Sequence, residues 1–190
     1  MHLDVVQVLR CPRDHEESGL VLVADETEGR HVITGILGCP LCEAEYPIRD
    51  GLAYFVEAQP PAPVRQEIDV MRLAAMLGLT EPGGVILLEG QWVSAAEAIE
   101  EFAEGALVLV VCAGDRLPIA PRALRAAAID TPREHIAIWL RPKGRLVAPI
   151  AVPIPPEIVE LARDAAYWVG ERTEVVPVLP LTRASRWRSQ

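Results

Sequence analysis

The chain has 190 residues, 51% of them apolar, and a formal charge of −9, which argues for a folded protein rather than a disordered one. No apolar run approaches the roughly 20 residues of a membrane-spanning helix, because ALVLVVCAG (106–114) is short and VAPIAVPIPP (147–156) is broken by prolines. The charge is uneven: residues 1–57 hold eleven acids against four arginines, while RASRWRSQ at 183–190 is a basic tail without an acid, so an acidic first region would repel a phosphate backbone and unaided nucleic-acid binding by it is not expected.

In chain order, LDVVQVL (3–9) reads as a short helix leading into Cys11. LVLVAD (20–25) and HVITGILG (31–38) read as a β-hairpin with ETEG (26–29) as its turn, and YPIRDGLAYF (46–55) as two short strands around an Asp-Gly turn. QPPAP marks a stiff linker at 58–63 between a small N-terminal domain, 1–57, and a larger one, 64–182. Val64, Ile68, Met71, Ala75 and Leu79 follow helical spacing and predict an amphipathic helix over 64–78 ending at Gly78. VILLE (85–89) is a buried strand, and SAAEAIEEFAE (94–104) a helix with Ser94 and Glu97 as a capping box. ALVLVV (106–111) and LRAAAID (124–130) are further strands, and Thr131, Pro132 and Glu134 open a helix to about Leu140. RPKG (141–144) turns into the strand RLVAPIAV (145–152), Pro155 and Pro156 open a helix through Tyr167, and TEVVPVL (173–179) is a last strand. The expected class is α/β: a small α+β metal module, then a shortened Rossmann-like, mostly parallel sheet covered by helices.

Three of the four cysteines lie in the first 42 residues beside a histidine, which favours metal over disulfides. Zinc in a structural site takes four ligands in tetrahedral array, and Cys-x-x-Cys makes two of them on one tight knuckle. Cys39 and Cys42 form that knuckle, with Gly38 expected to ease the turn, and Cys11 is a third ligand from the opposite loop. The fourth is His15, whose longer side chain reaches back, with Asp14 as the alternative in the register of a second cysteine. A region this small buries too little to be stable without such a staple. His2 and His31 are expected to face solvent, and Cys112 to be a small buried hydrophobe.

The helix before Cys11, CPRDH, a hairpin and CPLCEAEYPIRDG resemble the small zinc-ribbon activator subunits of tRNA, rRNA and release-factor methyltransferases over residues 1–57. Cys11, Cys39 and Cys42 match metal positions of that family, and Asp14 stands where it has a cysteine. The resemblance implies a ribbon that joins a methyltransferase by extending its sheet. GDRLPIAPRALRAAAID (114–130) and IAIWLRPKGRLVAP (136–149) resemble the late motifs of class I S-adenosylmethionine-dependent methyltransferases, loosely over 64–180, with Lys143 in place of a glycine in RPKG.

Such an enzyme needs glycines in its first strand-to-helix turn so that the backbone can approach the cofactor. Here the turn reads VILLEGQWVSAAEA: Gly90 is alone and Trp92 falls near a second glycine position, where an indole would fill the cofactor space. Glu89, Gly90 and Asp115 are the residues that would surround S-adenosylmethionine if it binds. The expectation is a cytoplasmic, non-catalytic protein that holds zinc and binds or regulates a protein partner, with self-association as one form of that binding. The alternative is an active methyltransferase with an atypical cofactor loop.

Overall fold

A computed structural model describes residues 1–56, 68–114 and 116–174, and the side chains of Val111 and Cys112 fall outside that description. The linker, Asp115, most of the last predicted strand and the basic tail therefore lie outside the described residues.

A 3-10 helix, Leu3–Val8, leads into the first loop, and β1 (Val21–Glu28) and β2 (His31–Gly38) form an antiparallel hairpin whose turn is Gly29 and Arg30 rather than ETEG, because Thr27 and Glu28 pair with Val32 and His31 and Gly29 takes the positive φ. β3 (Glu45–Arg49) and β4 (Leu52–Tyr54) follow, joined by Asp50 and Gly51, both at positive φ as a two-residue type I′ turn requires. The helix predicted at 64–78 is α1 (Val70–Leu77), with residues 64–67 outside the described part. Asp69 accepts the Arg72 N–H at its start, and Gly78 (φ 65°) closes it in the left-handed conformation. Its buried stripe is Leu73, Ala74 and Leu77, while Met71 is exposed. VMRLAAML is apolar around most of its circumference, so spacing alone does not select the face.

β5 (Val85–Leu88) runs into a 3-10 turn, Gly90–Ala95, and then α2 (Ala96–Phe102). Ser94 does not cap this helix: its hydroxyl donates to the Gln91 carbonyl, and the residue at the helix start is Ala95. The run 106–111 divides between two sheets, β6 (Leu107–Leu109) in one and β7 (Val111–Cys112) in the other. β8 (Leu124–Ala128) is fully buried. The helix expected from Thr131 shrinks to α3 (Ile136–Trp139) because His135 before it takes a left-handed φ of 59°. β9 (Leu140–Pro149) pairs with β8 at Leu140 and again from Arg145, so RPKG loops out between the two pairings with Lys143 at φ 62°.

The helix predicted after Pro156 is instead a β-hairpin, β10 (Ile158–Arg163) and β11 (Tyr167–Arg172). Asp164 makes its turn by accepting the N–H groups of Ala166 at 2.7 Å and Tyr167 at 2.9 Å. The Ala, Leu, Glu and Arg content of this stretch favours helix, but β11 pairs along β9 and buries Trp168, and tertiary pairing overrides the propensity.

The larger sheet has the order β10-β11-β9-β8-β5-β6, parallel from β9 to β6 and antiparallel at the hairpin. Its two faces are covered differently. Ile86 and Leu88 share a cluster with Leu73 and Leu77 of α1 and Ile99 of α2, so helices cover that side. Val85 and Leu87 share the other cluster with Val5, Leu9, Leu37 and Tyr46, so the N-terminal region covers the face where a doubly wound sheet carries its second helix layer. Backbone bonds fix this docking: Arg10 N–H donates to the Pro118 carbonyl at 2.8 Å and Ala120 N–H to that of Val8 at 2.7 Å. The smaller sheet, β1-β2-β3-β4-β7, closes the same seam, because β7 comes from the second region and pairs parallel with β4, Ala53 with Val111 and Tyr54 with Cys112.

Candidate metal centre

Two loops at one end of the smaller sheet converge. Arg10 bridges to Gly19 and the Cys11 N–H donates to the Ser18 carbonyl at 3.0 Å, which curls residues 11–18 into a tight loop. On the other side β2 ends at Gly38, and Cys39–Cys42 form a knuckle in which Cys39 N–H donates to the Ala44 carbonyl and Glu43 N–H to that of Cys39. The strained position is Glu43 (φ 56°) rather than Gly38, which does not take a positive φ.

Cys11, His15, Cys39 and Cys42 each aim one ligand atom at a common point, all within 4.8 Å of one another. Cys11 and Cys42 sulfurs are 3.7 Å apart, and His15 Nε2 lies 3.5 Å from Cys39 Sγ and 3.1 Å from Cys11 Sγ. A tetrahedral ion with bonds of about 2.3 Å to sulfur and about 2.0 Å to nitrogen has edges of roughly 3.5–3.8 Å. The four residues therefore fit a metal ion. Asp14 is exposed and outside the cluster.

The surrounding bonds prepare the donors. The second nitrogen of His15, Nδ1, sits 2.5 Å from the Glu16 carbonyl, so an N–H there leaves the Nε2 lone pair turned to the sulfurs. That carbonyl bond, followed by the Cys11 contact, raises the imidazole pKa. Burial works against a thiolate at Cys39, but the N–H groups of Cys42 and Leu41 and the neighbouring thiols outweigh it and bring the pKa down to about 6. Cys42 moves the other way, chiefly through burial. Tyr46, absent from the sequence-based ligand set, places its phenol oxygen 3.2 Å from Cys11 Sγ. His2 and His31 are half-buried and meet edge to face at 5.2 Å, with His31 Nε2 3.4 Å from Glu100 of α2, so neither simply faces solvent.

The turn after β5 is the other place where the sequence predicts a guest. The chain passes from β5 outward to β6 and then back across to β8, so the ends of β5 and β8 form the switch point of the sheet. Gly90 has φ 58°, and a side chain there would collide with the Asp130 carboxylate. Asp130 accepts the Gln91 backbone N–H at 2.5 Å and its side-chain amide at 2.8 Å. Trp92 is buried, donates its indole N–H to the Ile129 carbonyl at 3.3 Å, and packs at a tilt against Tyr167, ring centroids 4.9 Å apart. The donors that would face a cofactor are thus met by the chain's own groups.

Glu89 is 8% exposed. Its Oε2 accepts from Arg133 Nε at 2.8 Å, while Oε1 has Arg133 Nη2 at 2.7 Å without hydrogen-bond alignment. Burial raises its pKa despite the opposing guanidinium. Arg133 also donates to the Gly114 carbonyl, next to Asp115, which lies outside the described residues. Glu89 and Gly90 are therefore adjacent to the switch point, and sequence reasoning missed Asp130 and Arg133 beside them. The requirement that the N–H groups after a lone glycine find an acceptor points to an acid such as Asp130 at the end of a neighbouring strand. Scans against protein-family models and among curated proteins find no match for this chain.

Proposed function

We propose that the chain is a non-catalytic binding protein, in which a structural zinc centre holds the N-terminal sheet against a methyltransferase-like domain that has lost its cofactor turn. The occupation of that turn by Asp130 and Trp92 carries this reading, because S-adenosylmethionine would have to displace an internal carboxylate and a buried indole. Three thiolates and one imidazole favour zinc over harder cations. The resemblance of residues 1–57 to methyltransferase activators makes the partner a protein, with a methyltransferase of the translation apparatus or a second copy as the candidates. Val21 (57% exposed), Val23 (61%), Ile36 and Leu41 stand out on the ribbon's outer surface and supply apolar area for such a contact. Among the described residues no helix is long and apolar enough to cross a membrane, and free thiols suit the cytoplasm as the working compartment.

Two measurements test the reading. Calorimetry with S-adenosylmethionine should show no binding, and micromolar affinity would overturn it. Elemental analysis should give one zinc per chain, lost in His15→Ala and kept in Asp14→Ala; the reverse pattern would move the fourth ligand to Asp14.

One observation favours the enzymatic alternative. A buried carboxylate with a raised pKa at a sheet's switch point, here Glu89, is a common feature of active sites. A cavity of about 480 Å³ lined by Ile129, Arg133, Glu134 and Trp168 lies close by. Methyl transfer from labelled S-adenosylmethionine to RNA, protein or small molecules of a matching lysate would establish that alternative.

A further inference from the structure

Tyr46 projects from β3 with its ring against Phe55, centroids 4.8 Å apart, and its residue 6% exposed. A buried phenol needs a hydrogen-bond partner, and here the partner is Cys11 Sγ at 3.2 Å. A cysteine that ligates a metal is a thiolate, which only accepts. The phenol must then be the donor.

The three sulfurs differ in what surrounds them. Cys39 and Cys42 share one knuckle, which backbone bonds from Cys39 N–H to the Ala44 carbonyl and from Glu43 N–H to the Cys39 carbonyl hold in shape. Cys11 stands on the separate loop, and a side chain from the strand just after the knuckle reaches across to it. Three thiolates around one divalent ion leave excess negative charge on sulfur, which an O–H donor disperses, and the same bond fixes where the third sulfur sits.

We propose that Tyr46 is a positioning residue of the metal centre: its phenol O–H donates to the Cys11 thiolate and holds that sulfur on the ion. The proposal rests on the metal reading above. The test uses the full chain loaded with cobalt(II), whose sulfur-to-metal charge-transfer band reports electron density on the thiolates.

Tyr46→Phe keeps the ring and removes only the hydroxyl. It should still bind one cobalt per chain, with its charge-transfer band moved to longer wavelength and metal loss to a chelator faster by about tenfold. Phe55→Leu, which disturbs the packing and leaves the phenol in place, should keep the wild-type band position. If Tyr46→Phe does not fold, biosynthetic replacement of tyrosine by 3-fluorotyrosine keeps the question open to measurement. A more acidic phenol is a stronger donor and should move the band to shorter wavelength. An unmoved band and unchanged release rate, with one cobalt bound, overturn the role given to Tyr46 alone; a wild-type chain that takes up no cobalt overturns the metal reading with it.

Discussion

The loops carrying Cys11, His15, Cys39 and Cys42 and the turn following β5 both look, in sequence, like places for a guest, and they differ in where their polar atoms point. In the first, four ligand atoms from two separate loops face one another and bring three sulfurs and an imidazole together. In the second, the donors of the turn face Asp130, and the space is filled by Trp92 against Tyr167. Measured against the family patterns proposed for them, both stretches depart, one at Asp14 and the other at Trp92. A missing ligand can be replaced from a neighbouring position without rebuilding the loop, whereas an indole in place of a glycine draws in a whole shell of contacts.

Removing a ligand from the first site should have the largest consequence. In Cys39→Ser, or after chelation of the metal, the amides of β1 to β3 should lose their protection from hydrogen exchange, because metal binding in small zinc domains contributes on the order of 10 kcal/mol to folding. Protection that survives in both would mean that packing against the larger sheet suffices, and the contrast between the regions would weaken.

The second region should respond as a packed core does. Gly90→Ala would force a Cβ into the Asp130 carboxylate at a positive φ and should cost about 2–4 kcal/mol in chemical denaturation. Asp130→Ala leaves the Gln91 N–H without its acceptor and should cost about 1–3 kcal/mol. If either variant is as stable as the parent, the turn is not held from within.

The smallest effect concerns pH. A carboxyl whose folded pKa lies above its ordinary value makes the native state bind a proton more tightly than the unfolded chain does. Glu89 therefore contributes stability at low pH that is lost as pH rises above the ordinary carboxylate range. Glu89→Gln should flatten that decline in pH-dependent denaturation midpoints, and an unchanged slope would show that Arg133 compensates the charge in full.

The cluster of Cys11, His15, Cys39 and Cys42 is legible in sequence because its spacing is a local property: Cys39 and Cys42 share a knuckle, and His15 lies within reach of Cys11 on one tight loop. β1 to β4 are legible as short strands for the same reason, and Asp50-Gly51 sets the second hairpin, whereas the first turns one step later than ETEG suggests. What the sequence conceals depends on distant partners. ALVLVV reads as one strand, yet its first part pairs with β5 and its end with β4. The stretch 158–172 is helical in composition and becomes a hairpin because β9 offers Trp168 a buried place. Asp130 looks like the ordinary end of a strand until Gly90 and Gln91 are seen beside it. Tyr46 follows the Cys39–Cys42 knuckle closely in sequence, but the spacing does not say which sulfur its hydroxyl meets.

The parallel pairing of β4 with β7 also sets an order of events during synthesis. Residues 1–56 leave the ribosome before β7, and the edge of their sheet at Tyr54 has no partner until Cys112 has followed. Through that interval the edge is open to any strand that comes near. A chaperone or a neighbouring nascent chain would meet the molecule at this edge, and in the finished protein the same edge is closed by its own second half.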